Sequence, residues 1–186
     1  MNQVIVVTGP PGAGKSSVAE AICERFDRMM HIEVDHLRHW VKAGYRHPWL
    51  DDPQAAEQGV LAVRNASAIA READALRYAA VIDDVVFASQ AALYREAFAG
   101  IGGNVHFVLL LPSLEVALAR DGQRVETIRD RVRALHEDFT RESAAGLLPG
   151  AAIDSSEDGD AALTADRVMD AVASGAALFI EGADST

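Results

Sequence analysis

Short apolar runs of strand length alternate along this chain with stretches in which apolar residues recur at three- and four-residue steps. Val4, Ile5, Val6 and Val7 form a mostly β-branched run that reads as a strand buried on both faces. Val18, Ile22 and Phe26 then fall every four residues, on one face of a helix. Mixed alternation over 30–35 predicts a second strand ending at Asp35. A short helix over 36–43 and an aromatic-containing loop over 44–50 follow. Asp52 before Pro53 is an N-cap and first-position pair, opening an Ala-rich helix that runs to about Tyr78. A third strand over 79–86 is apolar except for Asp83 and Asp84, and a helix over 89–99 is closed by glycines. The run over 105–111 is apolar on both faces and predicts a central strand. Pro112 ends it, and Ser113 caps the next helix with Glu115 in its first turn. Val125, Ile128, Val132, Leu135 and Phe139 mark a long helix. Ala151-Ala152-Ile153 is a short last strand, and Ala165, Val168, Met169 and Val172 define a final helix.

Strands that alternate with helices in this way predict an α/β fold, with a five-stranded parallel sheet covered by helices on both faces. Residues 1–177 read as one domain and 178–186 as a frayed tail. Ligands in such sheets bind at the carboxyl ends of the strands. That rule gathers Gly9 to Ser16, Asp35, Asp83 and the loop after Ile153 on one edge.

Composition narrows the class. The 186 residues are 49% hydrophobic, enough for a sizeable core. A net charge of −11 argues against a general nucleic-acid binder, which needs a basic face. No apolar run approaches the roughly 18 residues that span a bilayer. The chain enters its first strand without a basic and apolar leader, so the cytoplasm is the expected compartment. Cys23 is the single cysteine and reads as a small buried hydrophobe in the first helix.

The chemistry is concentrated in Gly9-Pro10-Pro11-Gly12-Ala13-Gly14-Lys15-Ser16, which has the spacing of the phosphate-binding P-loop. A strand precedes it and a helix follows, the context that motif requires. The glycines let the backbone come close to a polyphosphate, and the helix N-terminus adds partial positive charge. Lys15 can reach the β- and γ-phosphates, and the Ser16 hydroxyl can coordinate Mg²⁺. These eight residues and Ser17 form the candidate set for binding ATP with Mg²⁺.

The P-loop, with a second strand ending in Asp35, resembles the small P-loop kinases, and most closely their chloramphenicol phosphotransferase-like and zeta-toxin-like branch. Three further stretches carry the resemblance: 32–38 (Ile-Glu-Val-Asp-His-Leu-Arg), 81–87 (Val-Ile-Asp-Asp-Val-Val-Phe) and 118–124 (Leu-Ala-Arg-Asp-Gly-Gln-Arg). The resemblance implies the three-layer sandwich of P-loop NTPases with a short lid. It implies an ATP-dependent phosphotransferase that moves the γ-phosphate to a hydroxyl of a small molecule. In that branch an aspartate after the second strand takes the hydroxyl proton, a role that falls on Asp35 here; by residue type alone Asp35 is an N-cap. Arg120 and Arg124 fall on the lid, whose arginines clasp ATP and neutralise charge in the transition state. Arg131, in a passage faintly like that of nucleotide kinases, falls where an arginine contacts the transferred phosphate.

Asp83 or Asp84 falls where an acidic residue holds the Mg²⁺ shell. Neighbouring strand residues face opposite ways, and Asp83 is preferred. Asp84, Arg38 and Trp40, with Asp35, are then candidate acceptor contacts. Residues 38–49 hold both tryptophans, a tyrosine, two histidines and three cationic residues, which suits a small organic acceptor. The competing readings are a nucleoside or nucleotide kinase and a regulatory protein that binds ATP without transferring phosphate.

Overall fold

In a computed structural model, residues 2–122 and 127–183 are described. Strand β1 (Gln3–Thr8) lies in the middle of a parallel sheet with β2 (Met29–Glu33), β3 (Ala79–Asp83), β4 (Asn104–Leu110) and β5 (Ala151–Ile153), in the order β2-β3-β1-β4-β5. The pleat sorts β1 residue by residue. Val4 and Val6 face one core layer, with Ile32, Ile82 and Phe107. Ile5 and Val7 face the other, with Val81, Val108 and Ile153.

Helices α1 (Lys15–Cys23) and α7 (Ala161–Ala173) cover the Ile5 face. Helices α2 (Val34–Arg38), α3 (Pro53–Ala75) and α4 (Ala88–Ala97) cover the Val4 face. Ala62, Ala66, Ala70 and Ala73 make a small-residue stripe that seats α3 against the sheet. Asp52 caps α3 as its sequence implies, accepting from the backbone N–H groups of Gln54 at 2.7 Å and Ala55 at 3.0 Å. Helices α5 (Leu114–Asp121) and α6 (Arg129–Ala144) pack on each other through Ala117, Leu118 and Val132. Ser113 caps α5, accepting from the Val116 N–H.

Four expectations are corrected. Strand β2 stops at Glu33, because Val34 and Leu37 turn one helical face into the core; Asp35 therefore lies inside α2, whose N-cap is Glu33. That helix ends at Arg38, well short of 43. The tail carries a sixth strand, β6 (Leu178–Ile180), antiparallel to the first half of β4. Its three residues are too few for a sequence pattern. Phe179 packs on Phe107 with ring centroids 5.6 Å apart, and the Arg95 guanidinium lies 4.3 Å from its centroid. Finally β3 stops at Asp83, short of 86, while β4 is interior as expected.

Candidate functional site

The loop between β1 and α1 has the geometry of an anion cradle. Gly14 occupies the N-cap of α1 at φ 88°, with no side chain closing the helix end and no acidic residue in the first turn. The N–H groups of that turn and the positive end of the helix dipole are thus offered to a ligand. Gly12, at φ 82°, lies so close to α5 that a β-carbon there would stand 2.2 Å from the Ala117 carbonyl oxygen. Lys15 folds back over the loop, its Nζ 3.4 Å from the Pro10 carbonyl oxygen.

Two strands bring the acidic residue to the loop. β3 lies beside β1, with Asp83 level with Val7, so the carboxylate emerges next to the start of α1. The Ser16 hydroxyl donates to Asp83 Oδ2 at 2.5 Å, across 67 positions of sequence. The pleat sends Asp84 to the other face. Its carboxylate is buried and accepts from Val85 N–H at 2.8 Å, Tyr94 Oη at 3.0 Å and Arg38 Nη2 at 3.2 Å. Burial pushes the Asp84 carboxyl up, opposed by the Arg38 charge and these hydrogen bonds. The same burial, together with the Asp84 charge, raises the Tyr94 phenol well above its usual range. The expectation of Asp84 as an acceptor contact is therefore corrected: its oxygens are taken up inside the protein.

Arg38 links this buried group to the sheet edge. Its Nε lies 3.7 Å from Asp35 Oδ1, and the Asp35 side chain is 79% exposed. Asp35 is thus on the same edge as the loop and open to solvent. Trp40 is exposed a short way beyond α2. The aromatic loop forms a ladder of rings. His39 stacks on Tyr45, Tyr45 meets His47 edge-on, and His47 stacks on Trp49 at 4.3 Å. Arg131, from α6, lies 3.7 Å from the Trp49 ring centroid and extends the ladder. Desolvation lowers the Arg131 pKa, offset by the charge of Asp35. The rings of this stretch show in the sequence, but their stacking order and the Arg131 contact do not.

Arg120 meets the loop from α5. Its Nη1 donates to the Ala13 carbonyl at 3.3 Å and its Nη2 to the Ser155 carbonyl at 3.1 Å. The guanidinium therefore ties the P-loop to the segment after β5. Arg124 lies outside the described residues. Among the described residues no cluster of three or more His, Cys, Asp or Glu side chains is placed to hold a metal. The Ser16 hydroxyl and Asp83 carboxylate are nonetheless hard oxygen donors at one spot. They fit Mg²⁺, which keeps most of its shell as water and phosphate oxygen.

A family model described as an AAA domain matches residues 4–145, most of the chain and all of the site just described except Ser155. The chain belongs to the AAA domain family. Solved structures similar to this AAA domain place its fold among kinases. The tunicamycin resistance protein of Deinococcus radiodurans superposes with a TM-score of 0.68 at 17% identity, covering 97% of this chain and 99% of its own. A gluconokinase from Sinorhizobium meliloti 1021 gives 0.66 at 22% identity, with 94% and 93% covered. Shikimate kinase from Acinetobacter baumannii, solved with shikimate, gives 0.63 at 20% identity, with 94% of each chain covered. The fold of this AAA domain is that of the small P-loop kinases. No helix among its described residues is long and apolar enough to cross a membrane.

Proposed function

We propose that this AAA domain is a small-molecule kinase that transfers the γ-phosphate of ATP to an acceptor hydroxyl. The observation that carries the reading is the 2.5 Å Ser16–Asp83 pair at the mouth of the P-loop, with the open Asp35 carboxylate on the same sheet edge. A nucleotide-binding regulator needs the first feature and has no use for the second. Gluconokinase and shikimate kinase, which share the fold, are small-molecule kinases by name, and this supports the choice.

In this reading the loop's N–H groups and Lys15 bind the ATP phosphates, and Lys15 offsets charge that builds on them. Ser16 and Asp83 would hold Mg²⁺, which when bound would neutralise phosphate charge. Asp35 accepts the proton of the acceptor hydroxyl. The freed oxygen forms the new bond to the γ-phosphorus, the bond to the β-phosphate oxygen breaks, and ADP leaves with the electron pair. Arg120 keeps the loop in place from outside, and Arg124, outside the described residues, keeps the charge-neutralising role that the resemblance implies. Arg38 and the aromatic ladder wall the space where the acceptor meets Asp35, with Trp40 nearby. The acidic surface points to a small acceptor rather than a nucleic acid.

The test is an ATP-consumption screen over aminoglycosides, chloramphenicol-type antibiotics, sugars, sugar acids, sugar nucleotides and nucleosides. A hit should be lost by about 10²–10⁴-fold in Asp35→Asn, the usual contribution of a general base. ATP affinity should stay near that of the wild type. Undiminished turnover in Asp35→Asn removes the general-base role. ATP binding with no acceptor-dependent turnover anywhere in the screen favours the regulator.

A further inference from the structure

We propose that Tyr94 and Asp84 are positioning residues that fix the Arg38 guanidinium, and through it the Asp35 carboxylate, from the inside of the protein. The inference rests on the phosphotransfer reading above. Tyr94 is fully buried, on a face of α4 that is otherwise apolar, with Ala91 and Phe98. Phenylalanine fills the same space. The phenol is used for one contact, its 3.0 Å hydrogen bond to Asp84 Oδ2. The other oxygen of Asp84 takes the Val85 N–H and Arg38 Nη2. Three elements thus hold one buried carboxylate: the end of β3, α4 and α2.

Burying such a polar cluster is seldom the most stable solution, since apolar residues of similar volume often do as well or better. What it supplies is placement. Arg38 projects from a helix of five residues, and its long side chain has many rotamers to lose. The hydrogen bond to Asp84 selects one. It leaves the Arg38 side chain 11% exposed, with Nε pointing outward at Asp35 Oδ1, 3.7 Å away. A guanidinium held beside one oxygen leaves the other free to meet an incoming hydroxyl. Asp35 itself is exposed and has no buried support of its own. Its backbone carbonyl engages His39 Nδ1 at 2.7 Å, and its other charged neighbour is Arg131. The ordering of the reaction edge therefore starts at a phenol on a helix that never reaches it.

Tyr94→Phe removes the phenol and keeps the ring. Two readouts follow, one of them independent of turnover. In ¹⁵N-labelled protein the Arg38 Nε–H of the wild type should give a sharp resonance that exchanges slowly with solvent. In Tyr94→Phe it should broaden or vanish. With an acceptor in hand, kcat should fall about 10- to 100-fold, the usual consequence of a misplacement near 1 Å, while the KM for ATP stays within twofold. Asp84→Asn should reproduce both effects and stands in if Tyr94→Phe does not fold. A wild-type Arg38 resonance in a folded Tyr94→Phe protein overturns the proposal, and so does a loss of kcat without any change at Arg38. If no acceptor is ever turned over, the kinase reading fails by itself. The resonance then still decides whether Tyr94 and Asp84 hold Arg38.

Discussion

Replacing Gly12 by alanine is expected to damage the nucleotide site far more than the same change at Gly14. Both residues sit at positive φ, 82° and 88°, so each alanine carries the left-handed backbone penalty of about 1–2 kcal/mol. Their surroundings differ. At Gly14 the added β-carbon has one neighbour, Arg120 Nη1, at 3.6 Å, an ordinary contact. At Gly12 it would lie 2.2 Å from the Ala117 carbonyl oxygen and 2.9 Å from its carbon. Ordinary contact begins at 3.4 Å, so the loop and α5 must separate by 3.4 − 2.2 = 1.2 Å. Both partners are backbone, and neither can swing away. Overpacking of this kind adds about 1–3 kcal/mol. The total for Gly12→Ala is then about 2–5 kcal/mol, against about 1–2 for Gly14→Ala. At roughly 2–4 °C per kcal/mol for a chain of this size, Gly12→Ala should lower Tm by about 10 °C and Gly14→Ala by about 4 °C. Calorimetric titration with an ATP analogue should show a loss of at least about tenfold in affinity for Gly12→Ala, since the moved loop is the cradle itself. Equal Tm values and equal affinities for the two variants would refute the claim that the loop is wedged against α5.

Two further changes test the frame. Asp52→Ala removes the cap of α3 and should destabilise the protein by about 1 kcal/mol, or roughly 2–4 °C in Tm by thermal melting; an unchanged Tm would show the cap to be idle. His106, buried in β4 with no hydrogen-bond partner for Nδ1 among the described residues, is held below the ordinary histidine value of 6.5 by desolvation. The unfolded chain takes up the proton near 6.5 and the folded one only at lower pH. The neutral form's contribution is therefore fully present above 6.5 and lost as pH falls below it. Urea melts at pH 7.5, 6.5 and 5.5 should show that loss in the wild type and a flatter trend in His106→Val; superimposable trends would exclude His106 as the source.

What the sequence determined by itself is whatever depends on neighbours within a turn or a strand. The P-loop is read from eight consecutive residues, the caps at Asp52 and Ser113 from two to four, and the α/β alternation from the change of apolar period. Five parallel strands follow from that alternation. The tertiary structure decided what depends on distant partners. Asp83 and Asp84 have the same local signature, and only the placing of β3 beside β1 puts Asp83 on Ser16 and turns Asp84 to Arg38 and Tyr94. Tyr94 has no sequence signal for its role, because a hydrogen bond to a buried carboxylate leaves no trace in an apolar period. Asp35 lies in α2 rather than at a strand end, since burying Val34 and Leu37 favours the helical turn there. The ring ladder and β6 are likewise tertiary: Trp49 needs Arg131 from α6, and three residues after Ala177 become a strand only because the lower half of β4 has an open edge and Phe107 offers Phe179 a surface. Local steric and hydrogen-bonding rules act within about four residues of sequence. Charge pairing and packing act across whatever the fold brings together.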